Sequence, residues 1–104
     1  MEFVEQKLEK KGYEVEDCHF ENRGYDLLAS RSGEILEVEG KGTSATEARF
    51  FITRNERRAS KTTRWRLAIV TSSRTKPSMQ LLTAQEAEKR FVFEPLAWEC
   101  KRRG

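Results

Sequence analysis

Histidine, cysteine and proline are scarce in this sequence, with one, two and two residues among 104. A Ser-His-Asp triad or a histidine-based metal site would have to use His19, because there is no other imidazole. Cys18 and Cys100 form no CxxC pair, so no second pair completes a zinc tetrahedron with Cys18 and His19. We therefore expect two free thiols and interpret Cys18 and His19 as ordinary strand residues.

Long apolar segments are also missing. No run approaches the roughly 18 residues that a membrane-spanning helix needs, and the first residues lack a basic leader followed by an apolar stretch. We therefore expect a cytoplasmic protein without a membrane partner. Apolar segments nevertheless recur along the whole length, and a chain of this size suits one modest core, so the sequence predicts a single domain over 1–104.

Charge is abundant and unevenly distributed along the chain. Residues 1–52 hold seven Lys or Arg against twelve Asp or Glu, whereas residues 53–104 hold thirteen against five. The two halves therefore carry net charges of −5 and +8. An acidic half can gather a cation and a basic half can hold a polyanion, although chance on a small, charge-rich surface is the alternative.

Apolar runs and turn residues predict the strands. The run from Trp65 to Thr71 is nearly continuous, which favours a buried position in the middle of a sheet. Arg31–Glu34 is typical of a hairpin turn between two strands. Phe91–Phe93 is compatible with a last strand, and 49–52 with a strand edge or a lead-in. The predicted strands cover 13–18, 25–30, 35–41 and 65–71, and loops are expected at 42–48 and 72–78.

Stop and capping residues predict the helices. Val4 and Leu8 lie one turn apart before Gly12, which predicts a helix over 2–11. Thr53–Glu56 and Thr83–Glu86 match capping boxes, which predict helices to about 61 and 90. Ser44–Glu47 fits the same pattern where a loop is expected. The order of elements indicates an α/β mixed sheet flanked by helices.

The third strand carries polar side chains at successive positions of one face. Because side chains alternate across a strand, Glu37, Glu39 and Lys41 share a face, while Leu36 and Val38 point into a core. Asp26 lies across the hairpin, on the strand expected to pair with this one. The alternative is an ordinary solvated face.

These residue types suit phosphodiester hydrolysis, which needs a hard divalent ion, an activated water and positive charge near the phosphate. Asp26 and Glu39 can hold Mg²⁺ or Mn²⁺ through their carboxylates. The carbonyl of Gly40 can be a third ligand, since glycine lets an ion approach the backbone. Lys41 can orient the water or stabilise the developing charge.

The spacing Asp-x(12)-Glu-x-Lys on a strand–turn–strand hairpin resembles the PD-(D/E)XK nuclease superfamily. Three linked blocks carry a narrower resemblance, namely Gly24–Asp26, Val38–Thr43 and Phe51–Glu56. They are similar to the pattern G-[YF]-D, I-E-V-K-G-T and F-x-[IL]-T-x-N-E of the NO VEIN C-terminal domain family. The resemblance covers about residues 2–71 and fades after Ser72.

The resemblance implies a restriction-endonuclease-like fold and metal-dependent DNA cleavage, often inside larger defence or restriction proteins. Asp26, Glu39 and Lys41 match the Asp, Glu and Lys of the family pattern. Gly40 departs from it by replacing the usual β-branched residue, and Glu37 adds a carboxylate. In an alternative register, Glu37 would be the glutamate of the motif and Glu39 would stand where the lysine belongs. We therefore interpret Glu37 as a flanking or accessory residue.

Two further features bear on the site. Arg54, Arg57, Arg58 and Lys61 fall at i, i+3, i+4 and i+7, which puts four cations on one helix face and predicts phosphate contacts. A solvated basic face is the alternative. Glu5 on the first helix is a candidate accessory carboxylate, because some nucleases of the superfamily place one there.

Four aromatic side chains could stack on bases, although their places near strands and helix ends favour the core. They are Phe50, Phe51, Trp65 and Trp98. A metal-dependent DNA endonuclease is thus the first hypothesis, and a non-catalytic nucleic-acid-binding module on the same fold is the second. A protein-interaction domain is the third. A domain this small has little room for sequence readout, so we expect a homodimer or a larger defence or repair partner.

Overall fold

A computed structural model describes residues 2–44, 49–72, 76–95, 100 and 102–103 of the chain. Within these ranges a five-stranded mixed sheet is flanked by three α-helices. The helices are α1 (Glu2–Lys10), α2 (Arg54–Ala59) and α3 (Ala84–Arg90), and the strands are β1 (Glu14–Asp17), β2 (Leu27–Arg31), β3 (Glu34–Ser44), β4 (Trp65–Ser72) and β5 (Ser78–Thr83). None of these helices is long and apolar enough to cross a membrane.

The strands lie in the sheet in chain order, and every pair is antiparallel except β3 with β4. The β2–β3 hairpin closes through Ser32 and Gly33, which both have positive φ, as the twist of a two-residue hairpin loop requires. A parallel pair cannot be joined by a tight turn, so the chain crosses from β3 to β4 through the segment that contains α2. This crossover brings α2 back over β3.

Each face of the sheet carries its own core, because side chains alternate along the strands. On one face Val4 and Leu8 of α1 are buried in the same cluster as Val38 of β3. On the other face Trp65 of β4 is buried together with Ala87 of α3. Helices therefore cover both faces, as the sequence predicted for a mixed sheet flanked by helices.

The central position predicted for the fourth strand is confirmed. Ala68 belongs to one core, whereas Leu67 and Ile69 belong to the other. A strand that is buried on both faces has no polar side to alternate with, which explains its continuous apolar run. Ala59 of α2 also packs against the second core, so α2 is anchored near β4.

Both predicted helix starts on threonine are confirmed. Thr53 accepts a hydrogen bond from the Glu56 amide, and the Glu56 side chain accepts one from the Thr53 amide. Thr83 and Glu86 form the same reciprocal pair at α3. The similar pattern at Ser44–Glu47 extends into residues 45–47, which lie outside the described residues. Residue 48, the end of the loop predicted there, lies outside them as well.

Several predicted boundaries are wrong. Cys18 precedes and His19 begins a short 3₁₀ helix, so they are not strand residues. β3 continues through 42–44, where a loop was expected. β5 was missed because Met79, Leu81 and Leu82 do not alternate strictly. Residues 91–93 do not form a strand, and the Phe91 ring packs edge-on against Phe50. Cys18 and Cys100 are free thiols, as expected.

Candidate functional site

The polar face of β3 lies on the side of the sheet that α2 and α3 cover. Glu39 pairs with Leu67 of β4, so its side chain points to the same face as the second core. Only 2% of Glu39 is exposed, and it is among the most buried side chains of the chain. The alternative of a solvated face is therefore wrong at this position.

Asp26 lies immediately before β2, directly across the hairpin from β3. Its amide donates to the carbonyl of Val38 at 2.9 Å, and its own carbonyl accepts from the Cys18 amide at 2.8 Å. The carboxylate oxygen Oδ2 accepts a hydrogen bond from the Gly40 amide at 3.0 Å. These bonds fix the Asp26 carboxylate beside β3, although Asp26, which the sequence placed inside a strand over 25–30, lies one position before β2 begins.

Lys41 joins two carboxylates from different elements. Its ammonium nitrogen Nζ lies 3.3 Å from Oε1 of Glu39 and 3.0 Å from Oε1 of Glu56. Glu56 belongs to the first turn of α2, so the crossover helix supplies part of the site. Sequence reasoning explained Glu56 by helix capping alone, but the block that ends in Asn-Glu was a usable signal for it.

Glu39 is electrostatically strained in this arrangement. Burial, the charges of Asp26 and Glu56, and a hydrogen bond with Glu56 together raise the pKa of Glu39 to about 8, and the nearby Lys41 only partly counteracts them. Its oxygen Oε2 is buried and has no hydrogen-bond partner among the described residues. A buried polar atom of this kind costs about 1–3 kcal/mol unless something satisfies it.

Lys41 and Glu56, which contact each other, both remain charged. Burial of the Lys41 ammonium opposes its charge, but the hydrogen bond to Glu56 and the charges of Glu39 and Glu56 outweigh burial and raise the pKa of Lys41. Burial acts against the Glu56 carboxylate as well, yet the Thr53 amide and Lys41 hold the pKa of Glu56 below its ordinary value. Lys41 and Glu56 are thus an ion pair at neutral pH.

The loop before Asp26 packs directly on α2. Gly24 has φ +88°, and a Cβ built there would lie 2.8 Å from the Cβ of Ala59 and 2.9 Å from the carbonyl oxygen of Asn55. The Asn55 side chain in turn donates to the backbone carbonyl of Asn22 at 3.0 Å. These contacts explain why a glycine lies two residues before Asp26 and why an asparagine directly precedes Glu56.

The predicted accessory residues lie at different distances from this cluster. Glu37 is half-buried on the same face of β3 and accepts a hydrogen bond from the Thr62 hydroxyl at 3.2 Å. Glu5 lies on α1, whose Val4 and Leu8 pack on the opposite face of the sheet. The structure therefore does not gather Glu5 with Glu39.

The candidate donors for a cation are few. Within the part of the chain that the structure describes, no three or more His, Cys, Asp or Glu side chains group together as a metal site. What the site offers is the carboxylate of Asp26, the Glu39 oxygen that has no partner among the described residues, and the backbone of Gly40 beside Asp26. A small hard cation commonly keeps water in its remaining positions.

The four predicted cations all line one groove beside α2, although Lys61 lies in the turn after α2 ends at Ala59. Arg57 is partly engaged inside the protein, because it pairs with Glu88 at 2.9 Å and lies over the Phe93 ring at 4.4 Å. Arg58 and Lys61 are exposed.

The aromatic side chains that could stack on bases divide between the core and the surface. Trp65 is buried and Phe50 packs against the second core, as expected. Phe51 is 64% exposed, so the core interpretation is wrong for this residue. Trp98 lies outside the described residues.

A family model described as Protein NO VEIN, C-terminal, matches residues 1–92, and no curated protein matches the sequence. The match runs from α1 through α3 and includes Asp26, Glu39, Lys41 and Glu56, so the similarity extends well beyond Ser72, where it was expected to fade. Because the matched region is most of its length, the chain belongs to the NO VEIN C-terminal domain family.

Proposed function

We propose that this chain is a metal-dependent nuclease of the PD-(D/E)XK type, which hydrolyses phosphodiester bonds of DNA with Asp26, Glu39 and Lys41. The observation that carries the proposal is the environment of Glu39. It is buried, one of its oxygens lacks a partner among the described residues, and Lys41 lies against the other. A bound divalent cation would satisfy this oxygen and favour the ionised carboxylate.

The donors that would hold the cation are the carboxylates of Asp26 and Glu39 and the carbonyl of Gly40. The Gly40 amide points toward Asp26, and the N–H and C=O of one strand residue point to the same edge of the strand. This supports the Gly40 carbonyl as a donor beside Asp26. When bound, Mg²⁺ or Mn²⁺ supplies Lewis-acid polarisation of the phosphate and a water of lowered pKa.

Lys41 acts as a cation and not as a base. Its raised pKa keeps the ammonium protonated at neutral pH, so it can donate hydrogen bonds to a phosphate oxygen or to the attacking water. Glu56 is a positioning residue, because it holds the Lys41 ammonium at 3.0 Å from a fixed helix start. Glu37 flanks the cluster as an accessory residue.

A second candidate is a non-catalytic nucleic-acid-binding module on the same fold. It is favoured by the groove beside α2, where Arg54, Arg57, Arg58 and Lys61 converge without any need for a cation. DNA as the partner belongs to both candidates. A homodimer, or a larger defence or repair partner, is a further prediction for either.

Cleavage of supercoiled plasmid in Mg²⁺, in Mn²⁺ and in EDTA tests the first candidate. We expect nicking with either ion and none in EDTA. Asp26→Asn and Glu39→Gln should each lower the rate by about a hundred-fold or more, because each removes a cation ligand.

Glu37→Gln is the matched control, since it changes the neighbouring carboxylate on the same face of the same strand. It should lower the rate less than Glu39→Gln does. The reverse order would establish the register over 37–39 and exclude Lys41 from the reacting centre. DNA binding without cleavage by the wild-type chain, with both ions and on plasmid and branched DNA, would select the second candidate.

A further inference from the structure

A groove of about 910 Å³ lies between α2 and the segment that follows α3. Its walls come from 49–61 on one side and from 90–95 on the other. Six of the described lining residues are basic and one, Glu94, is acidic. The basic ones are Arg49, Arg54, Arg57, Arg58, Lys61 and Arg90. This charge balance complements a polyanion.

The same groove is unusually aromatic. Its lining includes Phe50, Phe51, Phe91 and Phe93. Phe51 is 64% exposed and Val92 is 85% exposed, so apolar surface faces solvent between the cations. Isolated exposed apolar side chains are common, but two that line one groove together with six cations indicate a ligand surface.

Cations beside an exposed ring suit an unpaired strand better than a duplex. In a duplex the base faces are stacked on one another, so a side chain in a groove cannot reach them. In an unpaired strand each base offers a face to an aromatic ring while the phosphates contact Lys and Arg. Phe51, the most exposed of the four rings, is the residue best placed to stack on a base.

The groove also leads toward the candidate site. A second, smaller depression is lined by Gly42, Thr43, Ser44 and Ser72 and shares Arg49 and Phe51 with the groove. Gly42 directly follows Lys41 on β3. Thr53 lines the groove, and its amide donates a hydrogen bond to the same Glu56 carboxylate oxygen that contacts Lys41.

We propose that this groove binds an unpaired strand of DNA, with Phe51 stacked on a base and the basic side chains on the phosphates, and guides it to Lys41. That the bound strand is a substrate for cleavage rests on the proposed function. It specifies that substrate as DNA with an unpaired segment, such as a flap, a branch or an open end. Binding itself requires no cation, so it can be measured apart from cleavage.

The test is fluorescence anisotropy in EDTA with a labelled oligothymidylate of about 12 nucleotides, compared with its duplex of equal length. Phe51→Ala should weaken binding of the single strand about five-fold or more, because one stacked base is lost. Duplex binding should change by less than about two-fold, and Phe51→Trp should preserve single-strand affinity because it keeps a ring. Phe20→Ala is the matched control, since Phe20 is 90% exposed but does not line the groove.

Equal losses on single strand and duplex, no loss in Phe51→Ala, or the same loss in Phe20→Ala would each overturn the proposal. The proposal would also be overturned if polyglutamate of equal charge bound the groove and Phe51→Ala weakened that binding equally. That result would indicate an acidic protein partner. Plasmid cleavage in Mg²⁺ and Mn²⁺ separates the two proposals. If single-strand binding depends on Phe51 but the wild-type chain cleaves no plasmid, the groove proposal is supported and the nuclease proposal is wrong. If the chain cleaves plasmid but Phe51→Ala does not change single-strand binding, the nuclease proposal is supported and the groove proposal is wrong.

Discussion

The ammonium of Lys41 lies 3.0 Å from Oε1 of Glu56, which is fifteen residues further along the chain on the crossover helix. The same oxygen of Glu56 accepts from the Thr53 amide and thereby closes the capping box of α2. One carboxylate thus both starts the helix and holds the lysine of the candidate site. A movement of the first turn of α2 would therefore change the position at which the Lys41 ammonium is held.

The first prediction is that Glu56→Gln lowers cleavage while the fold persists. Glutamine at this position still accepts from the Thr53 amide, because Glu and Gln both complete a capping box. The ion pair with Lys41 is lost, however, so the ammonium is less firmly held. We expect the cleavage rate to fall by about ten-fold or more and the free energy of unfolding to fall by less than about 1 kcal/mol.

Glu86→Gln is the control for this prediction. Glu86 closes the capping box of α3 with Thr83 in the same way, but it contacts none of Asp26, Glu39 and Lys41 in the hydrogen bonds and ion pairs described. Its substitution should leave the cleavage rate unchanged. Equal rates for the two variants would reduce Glu56 to a helix cap.

The sequence predicted the elements of the site better than the geometry that joins them. Alternation along β3 was enough to put Glu39 and Lys41 on one face, and the hairpin turn was enough to bring Asp26 opposite. Strand periodicity reports only which side a residue faces. It does not tell what covers that side, so the burial of Glu39 under the second core could not be foreseen.

Glu56 and β5 were missed for different physical reasons. The capping box is a sufficient local explanation for Glu56, and nothing local reveals that the parallel crossover carries α2 over β3. β5 is an edge strand whose burial is divided between the two faces, so it lacks a clear period of two. Contacts between distant segments decide both cases.

A second prediction concerns the contact between Gly24 and α2. Gly24→Ala should be strongly destabilising, because it combines a positive φ with a Cβ 2.8 Å from the Cβ of Ala59. Gly33→Ala is the control, since φ is +82° there but no atom lies within 4 Å of the added Cβ. We expect Gly24→Ala to lower the free energy of unfolding by about 1–3 kcal/mol more than Gly33→Ala does. Urea denaturation of both variants measures the difference, and equal losses would mean that the loop does not pack on α2 as described.

The third prediction concerns the pH dependence of stability in EDTA. The pKa of Glu39 is about 8 in the folded chain, against an ordinary value of 4.5. Between these values the unfolded chain gives up the proton and the folded chain keeps it, so stability falls as pH rises. The slope approaches about 1.4 kcal/mol per pH unit for one proton. Above pH 8 both states are ionised and the fall ends.

Glu39→Gln removes this titration and retains the shape of the side chain. The variant should therefore gain stability relative to wild type as pH rises from about 5 to 8, with little further change above that range. Urea unfolding of both proteins at several pH values measures the difference. A difference that does not vary with pH would mean that Glu39 is not protonated in the folded chain at neutral pH.

A fourth prediction follows for the cation. Mg²⁺ or Mn²⁺ must bind the ionised Glu39, so binding releases a proton and is stronger at pH 8.5 than at pH 6.5. The melting temperature should rise with added ion. At an ion concentration of about 100 times Kd, binding should increase the free energy of unfolding by about 2.7 kcal/mol. Asp26→Asn should abolish the rise, whereas Asp17→Asn, at an exposed carboxylate of β1, should preserve it. An identical rise at both pH values would exclude Glu39 as a ligand.

The last prediction separates phosphate contacts from structural roles within the basic groove. Arg58 and Lys61 are exposed, so the double alanine variant should fold normally and bind DNA more weakly at every sequence. The slope of the logarithm of the binding constant against the logarithm of salt concentration becomes shallower with each lost phosphate contact. The change is about 0.9 for a duplex and about 0.7 for a single strand. We therefore expect the slope to fall by about 1.8 and about 1.4, respectively.

Arg57→Ala should behave differently, because Arg57 already pairs with Glu88 and stacks on Phe93. Its loss should reduce stability more than it changes the salt slope. Asp26→Asn removes negative charge near the phosphates, so it should preserve or tighten binding while it abolishes metal-dependent cleavage. Titrations at several salt concentrations measure all three variants. If the folded double variant keeps both the affinity and the slope of wild type, Arg58 and Lys61 do not contact phosphates, and a bound polyanion does not lie along this part of the groove.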